Sequence, residues 1–400
     1  MSSLLDRYDG IIVDLDGTVF RLEDPIEPAI EFLRRTEIPT VYVTNNSTRK
    51  PAAWAEMLAE AGVEAAEECV LTSALAAVAM LADEDSPPRV YPIGEEGLTD
   101  ALAAQGIETT DSHEDAEAVV VGWDRQLTWD KLRTAVLAIH HGARFIGTNT
   151  DPVYPTDEGP WPGNGAAIAF IRAVTNVSAE VAGKPETPMF ELAAERLGEG
   201  RLLVVGDQIH SDIQAAERLG WHSVLALTGV SGWEALVGSK AKPTWVVADL
   251  GKLDGPYPTR VREGEEEDLT RLRELMETEG RDGDAAMESA AGTLVAEDPD
   301  GEAVAAIAWE ELDEGTVVRW IVHDDEREDA AAHALAAALD ARGEAGVSCV
   351  YGLGEADAEL FERLGFERLS ADDAPEGVRE SAEADGPVFV WRFERDDSQS

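Results

Sequence analysis

The sequence predicts an α/β protein whose parallel-sheet core is split by an inserted α/β domain and followed by a separate α+β domain. Three observations predict it. From residue 11 onward, Val/Ile/Leu-rich runs alternate with amphipathic stretches, the pattern of a parallel sheet covered on both faces. The length of 400 residues exceeds what a single core ordinarily serves. Composition also steps near Pro256–Arg260: residues 261–400 hold 40 Asp and Glu against 12 Arg and no Lys, net −28, whereas 1–260 carry −21.

GIIVDL, from Gly10, reads as a buried strand and PAIEFLRR, from Pro28, as a helix. TVYVTN is the next strand, and a helix containing AAWAEMLAEAG follows it. The alternation continues through RVYPIG, AVVVGW, RFIGTN, RLLVVGD and HSVLALTG. Past residue 260 a second alternation begins with TRVREGEEEDLTRLREL. It runs through TLVAED, AVAAIAWEEL and TVVRWIV to the helix AAHALAAALDARG and the strand VSCVYGL. Three successive strands there predict antiparallel pairing and a unit of its own. No fixed repeat is visible, and the acidic run Glu263–Asp268 is the one low-complexity stretch.

Eighty-one acidic residues face 32 basic ones, for a net charge of −49. Such a surface repels nucleic acid and anionic lipid, so neither is expected as a partner. It suits a salty cytoplasm, where screening relieves self-repulsion. No apolar run reaches membrane-spanning length, and the amino terminus lacks the layout of a signal peptide. A cytoplasmic location is the expectation. Cys69 and Cys349 form no metal or redox motif and read as ordinary thiols.

Four segments at strand ends carry chemistry, the edge where an open α/β sheet places its active groups. In VDLDGT, Asp14 can attack phosphorus as a nucleophile, and Asp16 can protonate a leaving oxygen and then activate water. Gly17 permits a tight turn there. In VTNNS, Thr44, Asn45 and Asn46 offer a hydroxyl and amides that can donate to a phosphate. Lys184, in AGKPETPMF, is one of few lysines, and its ammonium can neutralise a phosphate. LLVVGDQIHSD places Asp207 and Asp212 after an apolar strand. That arrangement puts a carboxylate beside the first strand's edge, and together with Asp14 it makes a hard-oxygen pocket suited to Mg²⁺. His210 in the same loop reads as a loop residue or substrate neighbour. Each segment alone is also ordinary turn or cap chemistry.

Taken in order, the four segments resemble the four motifs of the haloacid dehalogenase superfamily. The resemblance implies a Rossmann-like core with Asp14 as nucleophile and magnesium ligand. Asp16 would be acid/base and a ligand through its backbone carbonyl. Thr44 and Lys184 would bind the phosphoryl group, Asp207 would be the second side-chain ligand, and Asp212 would support it. An Asp at position 16 favours a phosphomonoesterase over an ATPase or dehalogenase.

Over a hundred residues separate Thr44 from Lys184, far beyond one crossover. An inserted cap is therefore expected over 74–176, between core segments 1–73 and 177–256. The segments Val119–Trp129, Gly147–Thr156 and Gly159–Ala166 resemble the class IIA group of 4-nitrophenyl phosphate, phosphoglycolate, pyridoxal phosphate and glycerol 3-phosphate phosphatases. Asn149, Asp151 and Pro155 among them are also plain turn chemistry. Residues 260–396 resemble a GNAT N-acetyltransferase, with departures. Where the pyrophosphate loop should be, Arg327-Glu328-Asp329-Ala330-Ala331-Ala332 contains no glycine, and Glu326 and Asp329 would repel the cofactor. Phe361 stands where many members have a tyrosine acid. The expectation is a degenerate, non-catalytic GNAT-like domain.

That fusion favours glycerol 3-phosphate as the small phosphorylated metabolite. Phosphoglycolate, a broad sugar phosphate, or a bifunctional phosphatase/acetyltransferase remain alternatives. A homo-oligomer is also allowed.

Overall fold

The computed structural model describes residues 3–82, 86–156, 158–255, 257–278, 292–324, 327–354, 357–370, 373–381 and 387–393. Pro256 and Glu326, singled out above, lie outside the described residues, as do the outer ends of the first and last predicted domains. The chain forms two compact units, Arg7–Val224 and Met1–Asp6 with Leu225–Ser400.

In the first unit, Gly10–Asp14 is buried at every position. It runs parallel to Leu202–Gly206 on one side and to Thr40–Thr44 on the other. Val70–Thr72 continues the sheet beyond Thr40–Thr44, also in parallel. A strand buried on both faces can be apolar throughout, which is why these segments carry runs and not alternation. Ile12, Val43, Leu71 and Val204 share one core cluster with Met189 and Phe190 of the helix Pro188–Leu197.

A second parallel sheet runs in the order Glu180–Val181, Arg144–Gly147, Ala118–Val121, Val90–Ile93, its edge strand Glu180–Val181 lying beyond the segment 74–176. Its side chains alternate between two cores. Val120 and Ile146 join the cluster just described, whereas Val119, Val121 and Phe145 pack with Ile139, Ile168 and Ile171. A hairpin, Val153–Thr156 with Gly159–Pro162, extends from this sheet.

The second unit contains a seven-stranded sheet. Arg260–Glu263, Gly292–Glu297, Ala303–Leu312 and Gly315–His323 pair antiparallel in succession. Cys349–Leu353 then joins in parallel, and Val388–Arg392 and Glu367–Leu369 close the sheet antiparallel. The helix Glu328–Glu344 is apolar nearly all round, with Ala331, Leu335, Ala336 and Leu339 buried, as a helix must be when it is covered on every side. It packs on Ala303–Leu312 and on the turn Trp233–Leu236. Trp245–Val247 belongs to the same unit, where Val246 bridges Thr259. The compact unit thus begins upstream of the composition step.

Phe361 is fully buried, its ring centroid 5.1 Å from that of Phe366 and 5.5 Å from that of Phe389. It serves as a core side chain. No helix among the described residues is long and apolar enough to cross a membrane. Cys69 and Cys349 are both free and half-buried.

Candidate active site

Asp14 is the last residue of the central strand and only 3 % exposed. Parallel neighbours on both sides bring the carboxyl ends of Thr40–Thr44 and Leu202–Gly206 to the same edge. Thr44, Asp207 and Asp16 therefore meet around it. Asp14, Asp207 and Asp212 each present a carboxylate oxygen within 4.8 Å of the others, and all three are buried. Lys184 lies among them, 3 % exposed. Its Nζ donates to Asp14 Oδ1, and to Asp212 Oδ1 at 2.7 Å. Thr18 Oγ1 donates to Asp14 Oδ2 at 3.3 Å.

These contacts set the charge states. Burial pushes Asp14 well above the usual carboxylate range. Lys184 pulls it down, while Asp212, Asp207 and Asp16 push it further up. Burial opposes charge on Lys184 too, but Asp14 and Asp212 outweigh it and raise the ammonium's pKa. Asp16 keeps an exposed side chain, yet the protein packed around it desolvates the carboxyl and raises it, against the hydrogen bond from Thr44 and the charges of Lys184 and Arg49. Thr44 Oγ1 donates to Asp16 Oδ2 at 2.7 Å. One ammonium among buried carboxylates leaves negative charge uncompensated. Hard oxygen donors in that state fit a small divalent cation.

Gly17 turns the chain with φ +91°. A Cβ there would stand 2.4 Å from Asp207 Oδ2, so backbone and carboxylate approach as only glycine allows. Asp212 is fixed by Ser211 Oγ at 3.1 Å and by the backbone N–H of Gln208 at 3.2 Å, both donating to Oδ2. His210 points into solvent.

Two of the residues predicted for phosphate are engaged in other bonds. Asn45 clasps the Lys184 segment: its Oδ1 accepts from Lys184 N–H at 2.9 Å and its Nδ2 donates to Lys184 O at 3.0 Å. The same Nδ2 donates to Asp151 Oδ2 at 3.1 Å. Asn46 Oδ1 accepts from the Thr48 N–H and hydroxyl at 3.0 and 2.7 Å and so stiffens its own turn. Asn46 N–H donates to Thr44 Oγ1 at 2.9 Å.

Asp151 and Asn149, read from sequence as turn residues, reach this centre through Asn45. Asn149 Nδ2 donates to the Asn45 carbonyl at 2.5 Å, as does Ser73 Oγ at 2.6 Å. Burial raises Asp151. Their bonds span about a hundred residues of sequence, which no local pattern announces. Asn164 locks the loop from beneath, donating to Val121 O at 3.0 Å and Asn149 O at 2.9 Å. Gly165 is needed there because a Cβ would stand 2.2 Å from Thr150 O. Beside the loop, Trp123 stacks on Tyr154 with centroids 4.1 Å apart and donates from Nε1 to Pro162 O.

The sequence pattern of the Haloacid dehalogenase-like hydrolase family matches residues 11–108, and an HAD-hydrolase-like pattern matches 181–253. A 5'-nucleotidase of Bacillus subtilis is 38 % identical over 251 residues, covering 62 % of this chain and 97 % of the relative. A D-glycerol 3-phosphate phosphatase of Mycobacterium tuberculosis is 37 % identical over 257 residues, 63 % of this chain and 73 % of that one. In structure, the magnesium complex of the M. tuberculosis glycerol phosphate phosphatase matches with TM-score 0.72 at 29 % identity. It covers 91 % of this chain and 99 % of that one. A thermostable NPPase variant from Geobacillus stearothermophilus gives 0.57 at 40 %, covering 61 % and 97 %. The chain belongs to the haloacid dehalogenase-like hydrolases. Within that family it is a phosphatase.

Proposed function

We propose that the chain is a magnesium-dependent phosphomonoesterase that hydrolyses glycerol 3-phosphate through an aspartyl-phosphate on Asp14. The observation that carries this reading is the convergence of Asp14, Asp207 and Asp212 within 4.8 Å, with the Lys184 ammonium among them.

Asp14 forms a bond from a carboxylate oxygen to phosphorus as the bond to the leaving oxygen breaks. The hydrogen bond from Thr44 holds Asp16 in place, and desolvation at the strand end raises its pKa against that bond, so that it can give its proton to that oxygen. In the second step a water attacks phosphorus and passes its proton to Asp16. Asp14 leaves as a carboxylate and inorganic phosphate is released. Thr44 and Lys184 hold the phosphoryl group, and Asn45 keeps Lys184 in position from its backbone. Asp14, Asp207 and the Asp16 carbonyl would hold Mg²⁺, supported by Asp212. When bound, the ion supplies positive charge opposite the phosphoryl oxygens.

Glycerol 3-phosphate is favoured because a relative that matches over 91 % of this chain is a glycerol phosphate phosphatase. The segment 74–176 is the cap of this reading, between core segments 1–73 and 177–256. The loop of Asn149 and Asp151 and the stack of Trp123 on Tyr154 would meet the leaving group. The mixed sheet of the second unit supports a GNAT-like domain over 260–396. The glycine-free segment after Gly315–His323 and the buried Phe361 argue against acetyl transfer. Acid sugar phosphatases are also among the relatives, which keeps sugar phosphates and phosphoglycolate in the test.

That test is a panel of phosphomonoesters with Mg²⁺ and after exhaustive chelation. The highest kcat/KM is expected on glycerol 3-phosphate, with activity lost on chelation and restored by Mg²⁺. Higher efficiency on phosphoglycolate or a sugar phosphate would replace the substrate, and full activity without metal would remove the magnesium centre. An acetyl-CoA binding measurement on the full chain should show no binding.

A further inference from the structure

The segment that carries Lys184 is gripped from two sides. On one side Ala182 N–H donates to Gly147 O at 3.0 Å and Gly183 N–H to Thr148 O at 2.8 Å, so the loop from Thr148 to Asp151 starts alongside it. On the other side stands Asn45. A Cβ on Gly183 would lie 2.5 Å from both Asn45 Oδ1 and Thr148 O. Only a glycine before Lys184 lets the two close on the chain.

Asn45 bonds the main chain of Lys184, accepting from its N–H and donating to its carbonyl. The two ends of an amide have nearly the same shape, so its partners decide which end faces which way. Lys184 N–H calls for the oxygen at one end, while Lys184 O and Asp151 Oδ2 both call for the nitrogen at the other. Among the described residues Asp151 is the one side chain bonded to that amide, at 3.1 Å. A carboxylate can only accept, and so it fixes Nδ2 on its side. Burial raises the Asp151 carboxyl, against the bond from Asn45 and the charge of Lys184, which is thus felt at Asp151. The Asn45 carbonyl is held as well, by Asn149 Nδ2 from the same loop and by Ser73 Oγ.

We propose that Asp151 is a positioning residue for phosphate capture: through the Asn45 amide it fixes the Lys184 main chain, and with it the point from which the ammonium reaches the phosphoryl group. The role rests on the reading of Lys184 as a ligand of the phosphoryl group. Without the carboxylate the Asn45 amide is free to turn, and a turn breaks both of its bonds to Lys184. A displacement of about 1 Å at a group that places substrate costs up to about a hundredfold. Other atoms of the loop meet the leaving group, whereas the Asp151 carboxylate turns to Asn45. A residue that touches the leaving group acts on some esters and not on others. One that places Lys184 acts on every phosphoryl ligand, including inorganic phosphate, which has no leaving group.

The test is calorimetric titration of the full-length protein with inorganic phosphate in the presence of Mg²⁺, alongside KM for glycerol 3-phosphate and p-nitrophenyl phosphate. Asp151→Ala should weaken phosphate binding about tenfold or more and raise KM for both esters by a similar factor. Asp151→Asn, whose side-chain oxygen can accept the same bond, should recover most of that loss. In an Asn45→Ala background, Asp151→Ala should add nothing further, as for two links of one chain. Wild-type phosphate binding in folded Asp151→Ala would overturn the proposal. So would a loss seen with glycerol 3-phosphate alone, which marks contact with the leaving group. Lys184→Met separates the two ways of failing. Phosphate binding weakened there but not in Asp151→Ala removes the positioning role alone, whereas binding unchanged in Lys184→Met removes the phosphoryl-ligand reading and the positioning role with it. Asp151→Glu keeps the charge but moves the acceptor by one methylene. Folded protein of that variant with wild-type phosphate binding would overturn the proposal even if Asp151→Ala failed to fold.

Discussion

At Gly17 two constraints meet, a φ of +91° and a Cβ position 2.4 Å from Asp207 Oδ2. Gly17→Ala must therefore strain the backbone by about 1 kcal/mol and push the Asp207 carboxylate aside. A displacement of that kind is expected to lower kcat about a hundredfold and raise the magnesium concentration needed for half activity. Wild-type magnesium dependence in the variant would show that Asp207 is not a ligand. Asp14→Asn should leave under about a tenth of the activity, since an amide cannot attack phosphorus. A higher residue would exclude Asp14 as nucleophile. Both residues were legible because they sit at a strand end, in a dipeptide spacing whose chemistry is local. Asn45 was legible only as a polar group near phosphate. Its clasp on Lys184 spans 139 positions and depends on how two strand ends approach each other. Asp151 was hidden for the same reason, since an Asp before a Pro is first of all a turn residue.

Elements were legible wherever burial forced a pattern. The runs IIV, VYV and LLVV could be nothing but strands covered on both faces, and they form the sheet around Asp14. The helix Glu328–Glu344 was legible as a helix, but its environment was not. An Ala-rich stretch pattern does not reveal that it buries His333 and packs on the turn Trp233–Leu236. That is why the compact unit reaches back to Leu225 while composition shifts only past Pro256. His333 makes this packing measurable. It bonds Thr259 Oγ1 through Nδ1 at 2.9 Å, and burial pushes its pKa down to about 3 from 6.5. Between those values the unfolded chain holds a proton that the folded one does not, so stability falls as the pH drops through that window. The loss from this one group approaches about 1.4 kcal/mol per pH unit. His333→Gln, which keeps a hydrogen-bonding side chain, should flatten the dependence of unfolding free energy on pH between about 4 and 6. Parallel curves for variant and wild type would mean His333 is protonated in the folded protein.

The whole molecule carries 81 acidic and 32 basic residues, and at that scale two effects of salt oppose each other. Salt weakens surface ion pairs such as Arg125–Glu95 and Arg144–Glu180. Each exposed pair of this kind is worth about 0–1 kcal/mol at most. Salt also screens the mutual repulsion of an excess of 49 negative charges. That repulsion is lower in the expanded unfolded chain and so destabilises the folded one. Pairs act singly and over contact distance, while the excess acts between all charges within a screening length of about 30 Å at 0.01 M and about 3 Å at 1 M. The repulsive term should therefore decide the sign, and the thermal midpoint should rise by about 2 °C or more between dilute and molar potassium chloride. Chloride is the informative anion, because sulfate would add a rise through exclusion from apolar surface that has nothing to do with charge. The rise should level off once the screening length falls below the spacing of neighbouring carboxylates. Residues 261–400, at −28, should make the second unit the more salt-sensitive of the two. A midpoint that stays flat or falls across this range would show that ion pairs outweigh the excess charge, and that the acidity serves something other than folding in salt.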